Sequence, residues 1–595
     1  MKRFSIFIFS FLLSLGLSCS GCASVSPSDS GTENGLTAAQ LGEQESSRFH
    51  DYLDELFRNE ISGNVLNLHY TLTNPADYGI SSYRVSFGEI SKDSFDASLL
   101  SLENNRSVLQ QFDTASLAAS DRLTADLLNC YIDTTLSFAD YYLYDEPLRP
   151  NTGISSELPI LLAEYRFTCK QDVLDYLALL ADINRYFDQI ILFENQKADA
   201  GLFMSDFAVD TILKQCSDFC QTDKEHFLVT TFNHRLDAMS EFSDSEKDSF
   251  KKRNLSLVEG HILPAYQGLS EALTSLKGRG KNSAGLCKLP KGKIYYTNLV
   301  HKQTGSSHTI EELEALTGQR RTDDLAVVSD LLTKNPQLFS EAEAFSVDTS
   351  SPEGCLEHLI SEITADFPAP VSTDFTINYV DECLQDAMAP AFYLTAPIDD
   401  WNHNSIYINP AGNSEGIELF TTLAHEGFPG HLYQTVMSYD AGLSPLRSIL
   451  SYPGYVEGWA TYVEMMSYSY SGLPADAAAL LSANQSAILS LYATADMGIH
   501  YDGWSLADTI RFFREFGIQD VATVQHIFEY IVEEPAHYLK YYIGYLEFME
   551  LRDYAKQLYG TGYSNTQFHQ AVLSMGPAPF HLLQKYLDDF YKTAP

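Results

Sequence analysis

Basic residues are scarce: 38 Lys and Arg stand against 79 Asp and Glu, a formal net charge of −41. That imbalance excludes proteins that hold nucleic acid or anionic lipid headgroups through a positive surface. Cysteine is also sparse, nine in 595 residues. Cys19 and Cys22 sit near the start, and Cys130, Cys169, Cys216, Cys220, Cys287, Cys355 and Cys383 form an odd set without a CxxC repeat. A disulfide framework and a cysteine-ligated zinc site are thereby excluded, and Cys216 and Cys220 read as core thiols. Beyond residue 17 no apolar run approaches the roughly 20 residues of a spanning helix. No internal repeat occurs. What is present is the composition of a folded globular protein, 45% hydrophobic and 20% charged, with 36 Tyr and 35 Phe.

The N-terminus has a logic of its own. Lys2 and Arg3 precede an apolar run from Phe4 to Leu17 and a small-residue ending at Ser18 to Cys22, the pattern of an export signal. Cys22 behind Cys19-Ser20-Gly21 reads as a bacterial lipoprotein processing site, with lipid on Cys22. Cys19 is the second candidate and simple secretion the alternative. The expected organisation is a signal segment over 1–22, a flexible Ser/Gly/Thr-rich tether over 23–45 and a single helical unit over 46–595. Within that unit, 46–293 forms a helical wall and 294–595 carries the site.

Helical spacing recurs through the wall, as at Phe49, Tyr52, Leu53 and Leu56, and at Leu174, Leu177, Leu180, Ile183 and Phe187. Ile294 to Leu299 reads as a short strand. Phe375 to Val380 and Ser405 to Asn409 show the aromatic and β-branched alternation of strands, which predicts a small sheet upstream of a His-rich segment. From Ile417 onward the chain reads as helical. The fold class is therefore mainly α, a large helical unit with a small β-sheet beside the site helix.

The segment His425-Glu426-Gly427-Phe428-Pro429-Gly430-His431 carries the chemistry. In His-Glu-x-x-His peptidases two His at i and i+4 share a helix face and bind zinc, while the Glu activates water. Here position i+4 is Pro429 and the next His is at i+6, 240° round an ideal helix. Convergence requires a break, and Pro429-Gly430 supplies it: Pro lacks the helical N–H and Gly tolerates unusual dihedrals. Glu457, in Tyr455-Val456-Glu457-Gly458-Trp459-Ala460-Thr461-Tyr462-Val463-Glu464, is the candidate third ligand. Glu464, two turns on, shares its face and is placed to orient a ligand His. Trp459 and Trp504 read as packing residues.

His-Glu-x-x-Pro-Gly-His followed by Glu-Gly-Trp-Ala-x-Tyr-x-Glu resembles the bacterial family called domain of unknown function 885. The likeness runs from Asn74 to Ile80 near the start to Phe568 to Leu573 near the end, and includes Asp496-Met497-Gly498-Ile499-His500 and Pro535 to Gly544. In that last segment Ala536-His537 stands where the family more often has Gly-Gln. The resemblance implies a largely helical, zincin-like metallopeptidase in which His425, His431 and Glu457 bind Zn²⁺ and Glu426 is the general base. Its further matches offer Tyr541 or His500 as the donor to the oxyanion, or as cleft lining. Manganese or cobalt would suit the same donors.

The expected activity is hydrolysis of peptide bonds in short peptides or chain ends, with membrane attachment only through the lipid. Ser405 to Asn409 is expected either to pair with the extended substrate or to be an ordinary edge strand. Two alternatives stand beside this reading: a zinc hydrolase of a non-peptide amide, and a surface lipoprotein that binds peptides without turnover.

Overall fold

The computed structural model describes residues 38–592, apart from 222–224, 346, 348–350, 381–384, 386–388 and 413–414. The signal segment, Cys19, Cys22, Cys383 and the tether up to residue 37 lie outside the described residues. The first helix, α1 (Ala38–Ile61), begins inside the expected tether and buries Phe49, Tyr52, Leu53, Leu56 and Phe57 at helical spacing.

The fold is mainly α. In the wall, α2 (Ile154–Ala163) is followed by the long α3 (Lys170–Ala200). The start of α3 is fixed by Asp172, whose Oδ2 accepts from Thr168 N and Cys169 N at 2.7 and 3.0 Å. Tyr176, Leu177, Leu180, Ile183, Phe187 and Ile190 form its buried stripe, and Gly201 at φ +72° ends it. Cys216 is a buried thiol and Cys220 a half-buried one. Ile294 to Leu299 is not a strand: it lies in α4 (Gly292–Thr304), which buries Tyr295, Tyr296, Leu299 and Val300. That spacing of one, three and one is helical, and a six-residue window is too short to reveal it. A loop leads to α5 (Ile310–Lys334).

The small sheet has three strands, β1 (Asp374–Tyr379), β2 (Ala391–Leu394) and β3 (His403–Ile408), in the order β1-β3-β2. β1 runs parallel to β3, with Ile377 opposite Ile406, and β2 runs antiparallel to it, with Tyr393 opposite Ile406. Asn404, Ile406 and Ile408 point inward, so one face closes on the helical core. β3 is the central strand with both flanks paired. Ser405 to Asn409 therefore offers no free edge to an extended peptide, and the edges belong to β1 and β2.

The remaining helices that build the site are α6 (Gly416–Glu426), α7 (His431–Asp440), α8 (Pro453–Ser467), α9 (Ala475–Met497) and α10 (His537–Tyr559). The main core joins residues 49–141 to residues 286–591, while a second core holds residues 65–276 together with Val380 and Phe392. The wall is thus not a separate layer, because its first part shares a core with the helices of the site. Among the described residues no helix is long and apolar enough to cross a membrane.

Candidate metal centre

The site begins at the break in the His-rich segment. α6 ends at Glu426, and Pro429 cannot supply the N–H that would continue the ladder to the His425 carbonyl. Gly430 is required by space: a Cβ there would lie 1.8 Å from His425 O and 2.4 Å from Ala424 O. The turn is tied down by Trp459 Nε1, which donates to Pro429 O at 2.8 Å, and by Tyr433 N, which donates to Gly427 O at 3.1 Å. Trp459 thus packs, as expected, and also anchors the turn. With a new helix starting at His431, the rings of His425 and His431 come to 4.9 Å between centroids.

The third donor arrives on α8, which crosses α10 at backbone contact. A Cβ on Gly458 would meet Gly544 C at 2.4 Å, and one on Gly544 would meet Gly454 O at 2.2 Å. Two facing glycines let the helices approach closely enough for Glu457 to face Lys540 and Tyr541. Glu457 Oε2 lies 3.9 Å from His425 Nε2 and 3.6 Å from His431 Nε2, and the three donor atoms all fall within 4.8 Å of one another. His425, His431 and Glu457 are exposed by only 7, 2 and 2%. Buried and within reach of each other, His425 Nε2 and Glu457 Oε2 receive no hydrogen bond among the described residues.

The surroundings orient this set. Glu464 Oε2 lies 3.0 Å from His425 Nδ1, which directs Nε2 inward as anticipated from its two-turn spacing from Glu457. Glu426, wholly buried, accepts through Oε2 from Tyr393 N of β2 at 3.0 Å. Lys540 Nζ stands 3.4 Å from Glu457 Oε1. Burial favours neutral His425, but the Glu464 hydrogen bond and the nearby carboxylates outweigh it and raise its pKa to about 9. For Glu457 burial is outweighed by Lys540 and the two imidazoles, which hold the carboxyl below its ordinary range. Tyr541 is buried with its ring 6.5 Å from that of His425, and burial and the Glu457 charge push its phenol well above the usual value.

His500 is not part of this cluster. It is fully buried in the turn that follows α9; Leu286 N donates to Nδ1 at 3.1 Å, and Nε2 pairs with Ile531 O at 2.7 Å. With Nδ1 accepting, Nε2 carries the hydrogen, so the ring is a neutral backbone clamp and has no donor left for an oxyanion. Asp496, from the same motif, accepts from Tyr296 OH at 2.6 Å and from Ala536 N at 3.1 Å. This motif therefore seats the start of α10, the helix that carries Tyr541. His537, beside Tyr541 at 5.5 Å between ring centroids, is kept neutral by burial and by Lys540 and Arg149.

Sequence reasoning missed Lys540 and the Tyr393 N–H. A lone cation inside the Tyr-rich segment Tyr538 to Tyr545 was a usable signal for the first. A backbone donor leaves no signal in sequence.

Fold and site together define a mainly helical protein with a buried His/His/Glu cluster flanked by a buried carboxylate. The chain belongs to the family described as "Bacterial protein of unknown function (DUF885)", which it matches over residues 76–587. Its fold is similar to that of a provisionally assigned lipoprotein from Colwellia psychrerythraea, at 19% identity and a TM-score of 0.80, covering 94% of this chain and all of the other. A provisionally assigned lipoprotein of unknown function from Shewanella oneidensis shares 16% identity, with a TM-score of 0.60 over 93% of this chain and all of the other. No curated protein matches the chain.

Proposed function

We propose that the protein is a zinc-dependent peptidase with His425, His431 and Glu457 as ligands and Glu426 as general base. The observation that carries this reading is the convergence of two imidazoles and a carboxylate whose buried His425 Nε2 and Glu457 Oε2 lie within reach of each other and receive no hydrogen bond of ordinary length among the described residues. Buried polar atoms without partners are costly, and a cation between them removes the penalty. Ligands about 2.0–2.1 Å from a tetrahedral zinc lie about 3.3 Å apart, close to the 3.6 and 3.9 Å found here. Imidazole and carboxylate donors with an orienting Glu464 suit zinc.

When bound, zinc supplies Lewis acidity toward water and the scissile carbonyl. The protein's own groups do the rest. Glu426, adjacent to a ligand His and held by the Tyr393 N–H, takes a proton from the attacking water as the new C–O bond forms. It then delivers that proton to the amine nitrogen as the C–N bond breaks. Tyr541, kept protonated, donates to the carbonyl oxygen as charge grows there. Lys540 offsets the charge of Glu457, which binds more tightly as a carboxylate than as an acid.

Burial of these groups favours short peptides or chain ends over folded proteins as substrates. The leader pattern, with two structural relatives described as lipoproteins, supports a location outside the cytoplasm, and in this reading the lipid is carried by Cys22. To test the peptidase reading, the purified chain is stripped with a chelator and offered a mixed oligopeptide set before and after zinc is restored. Cleavage that disappears and returns supports it; cleavage indifferent to the chelator, or absent with zinc bound, overturns it.

A further inference from the structure

A second cluster of donors lies further along α10. Glu547 and Glu550, three residues apart and so on one helix face, meet His308 from the loop between α4 and α5. His308 Nε2 lies 3.2 Å from Glu550 Oε2 and 3.9 Å from Glu547 Oε1, and the three donor atoms fall within 4.8 Å of one another.

Two observations separate this cluster from an ordinary surface ion pair. Glu547 is only 7% exposed, and although Ser306 hydrogen-bonds to its carboxylate, Oε1, aimed at His308 Nε2, receives no hydrogen bond among the described residues. In addition, a carboxylate stands behind the imidazole as at His425, though at a longer distance than the 3.0 Å found there. Nδ1 lies 3.7 Å from Glu312 Oε2, and that carboxylate is itself fixed by Thr309 N at 2.8 Å in the cap of α5. A carboxylate behind a histidine that faces further carboxylates is the arrangement of a metal-ligating imidazole and its orienting partner. The loop is held for the purpose: His308 N donates to Ser306 Oγ at 3.2 Å, and His308 O lies 3.2 Å from His301 Nε2. Three carboxylates surround one imidazole, and among the described residues no Lys or Arg forms an ion pair with any of them.

We propose that His308, Glu547 and Glu550 form a second divalent-cation site, separate from the His425 cluster, which pins the α4–α5 loop to α10. One nitrogen and two oxygens suit zinc or manganese, with water completing the shell because His308 and Glu550 reach solvent. The inference is independent of the peptidase reading. The bound ion braces the helix that presents Lys540 and Tyr541, from a position two turns further along.

The chelator-stripped chain, titrated with zinc chloride and manganese chloride by calorimetry and checked for metal content by mass spectrometry, tests the site. Wild type is expected to take up two ions, Glu550→Gln one and His431→Ala one, with the lost site weakened tenfold or more in each. Because Glu550 is exposed, its substitution leaves folding intact, which circular dichroism verifies; His308→Asn repeats the test from the other side. Two ions retained in both Glu550→Gln and His308→Asn overturn the proposal. A single wild-type ion lost only in His431→Ala overturns it while leaving the peptidase site standing. A single ion lost only in Glu550→Gln does the reverse.

Discussion

The backbone N–H of Tyr393 donates to Glu426 Oε2 at 3.0 Å, so the edge strand β2 fixes the orientation of the carboxylate at the end of α6. Sheet and site helix are joined by this bond and by a shared apolar core that includes Ile406, Phe420 and Leu423. In the proposed reading, this bond holds Glu426 as a base beside the metal rather than as a fourth ligand.

The Glu464 carboxylate orients His425 from behind. Glu464→Gln is expected to lower zinc affinity about tenfold to a hundredfold while the fold is kept. Competition with a calibrated chelator measures the change, and an unaltered affinity would show that the ring is oriented by packing alone.

The α8–α10 crossing depends on Gly458 and Gly544 in backbone contact. A methyl on Gly544, which would sit 2.2 Å from Gly454 O, forces the helices apart. Gly544→Ala is expected to destabilise the protein by about 3 kcal/mol and to weaken metal binding together with it. Denaturant midpoints report the first effect and zinc titration the second.

Ala536 sits at φ +62°, a left-handed conformation that costs a residue with a Cβ about 1–2 kcal/mol. Ala536→Gly is therefore expected to raise stability by about 1 kcal/mol, the relief being partly offset by the greater freedom of glycine in the unfolded chain. A thermal melt that moves down would contradict the strained assignment.

The pH dependence of stability distinguishes the clamp role of His500 from catalysis. Burial holds its pKa at about 4, against 6.5 when unfolded. A depressed histidine stabilises the fold above pH 6.5 and loses that contribution as pH falls through 4. The unfolding free energy of wild type relative to His500→Gln should thus shrink by about 2–3 kcal/mol between pH 7 and pH 4.5. A gap that stays constant would show that His500 is not held neutral by burial.

Much of the site was legible because its decisive constraints are local. Proline four residues after His425, followed by glycine, marks a helix break that only makes sense if His431 must turn back, and Glu457 and Glu464 are seven apart on one helix face. The two strands with clear alternation were legible as well. Four-residue β2 was not, since Ala391 to Leu394 is too short to show a period, and missing it left β3 looking like an edge. The role of His500 was hidden for a related reason: its partners, Leu286 N and Ile531 O, are backbone atoms that carry no residue signature. The strand expected at Ile294 failed because six residues mixing aromatic, β-branched and polar side chains fit either period.

The central claim is that Glu426 acts as a base beside a metal it does not bind. The direct measurement is metal content and peptide-library cleavage on wild type and Glu426→Gln side by side. The account predicts one ion at the His425 cluster in both proteins, with cleavage reduced by about 10²–10⁴ in the variant. Equal cleavage by the two proteins, or loss of that ion from the variant, would contradict it.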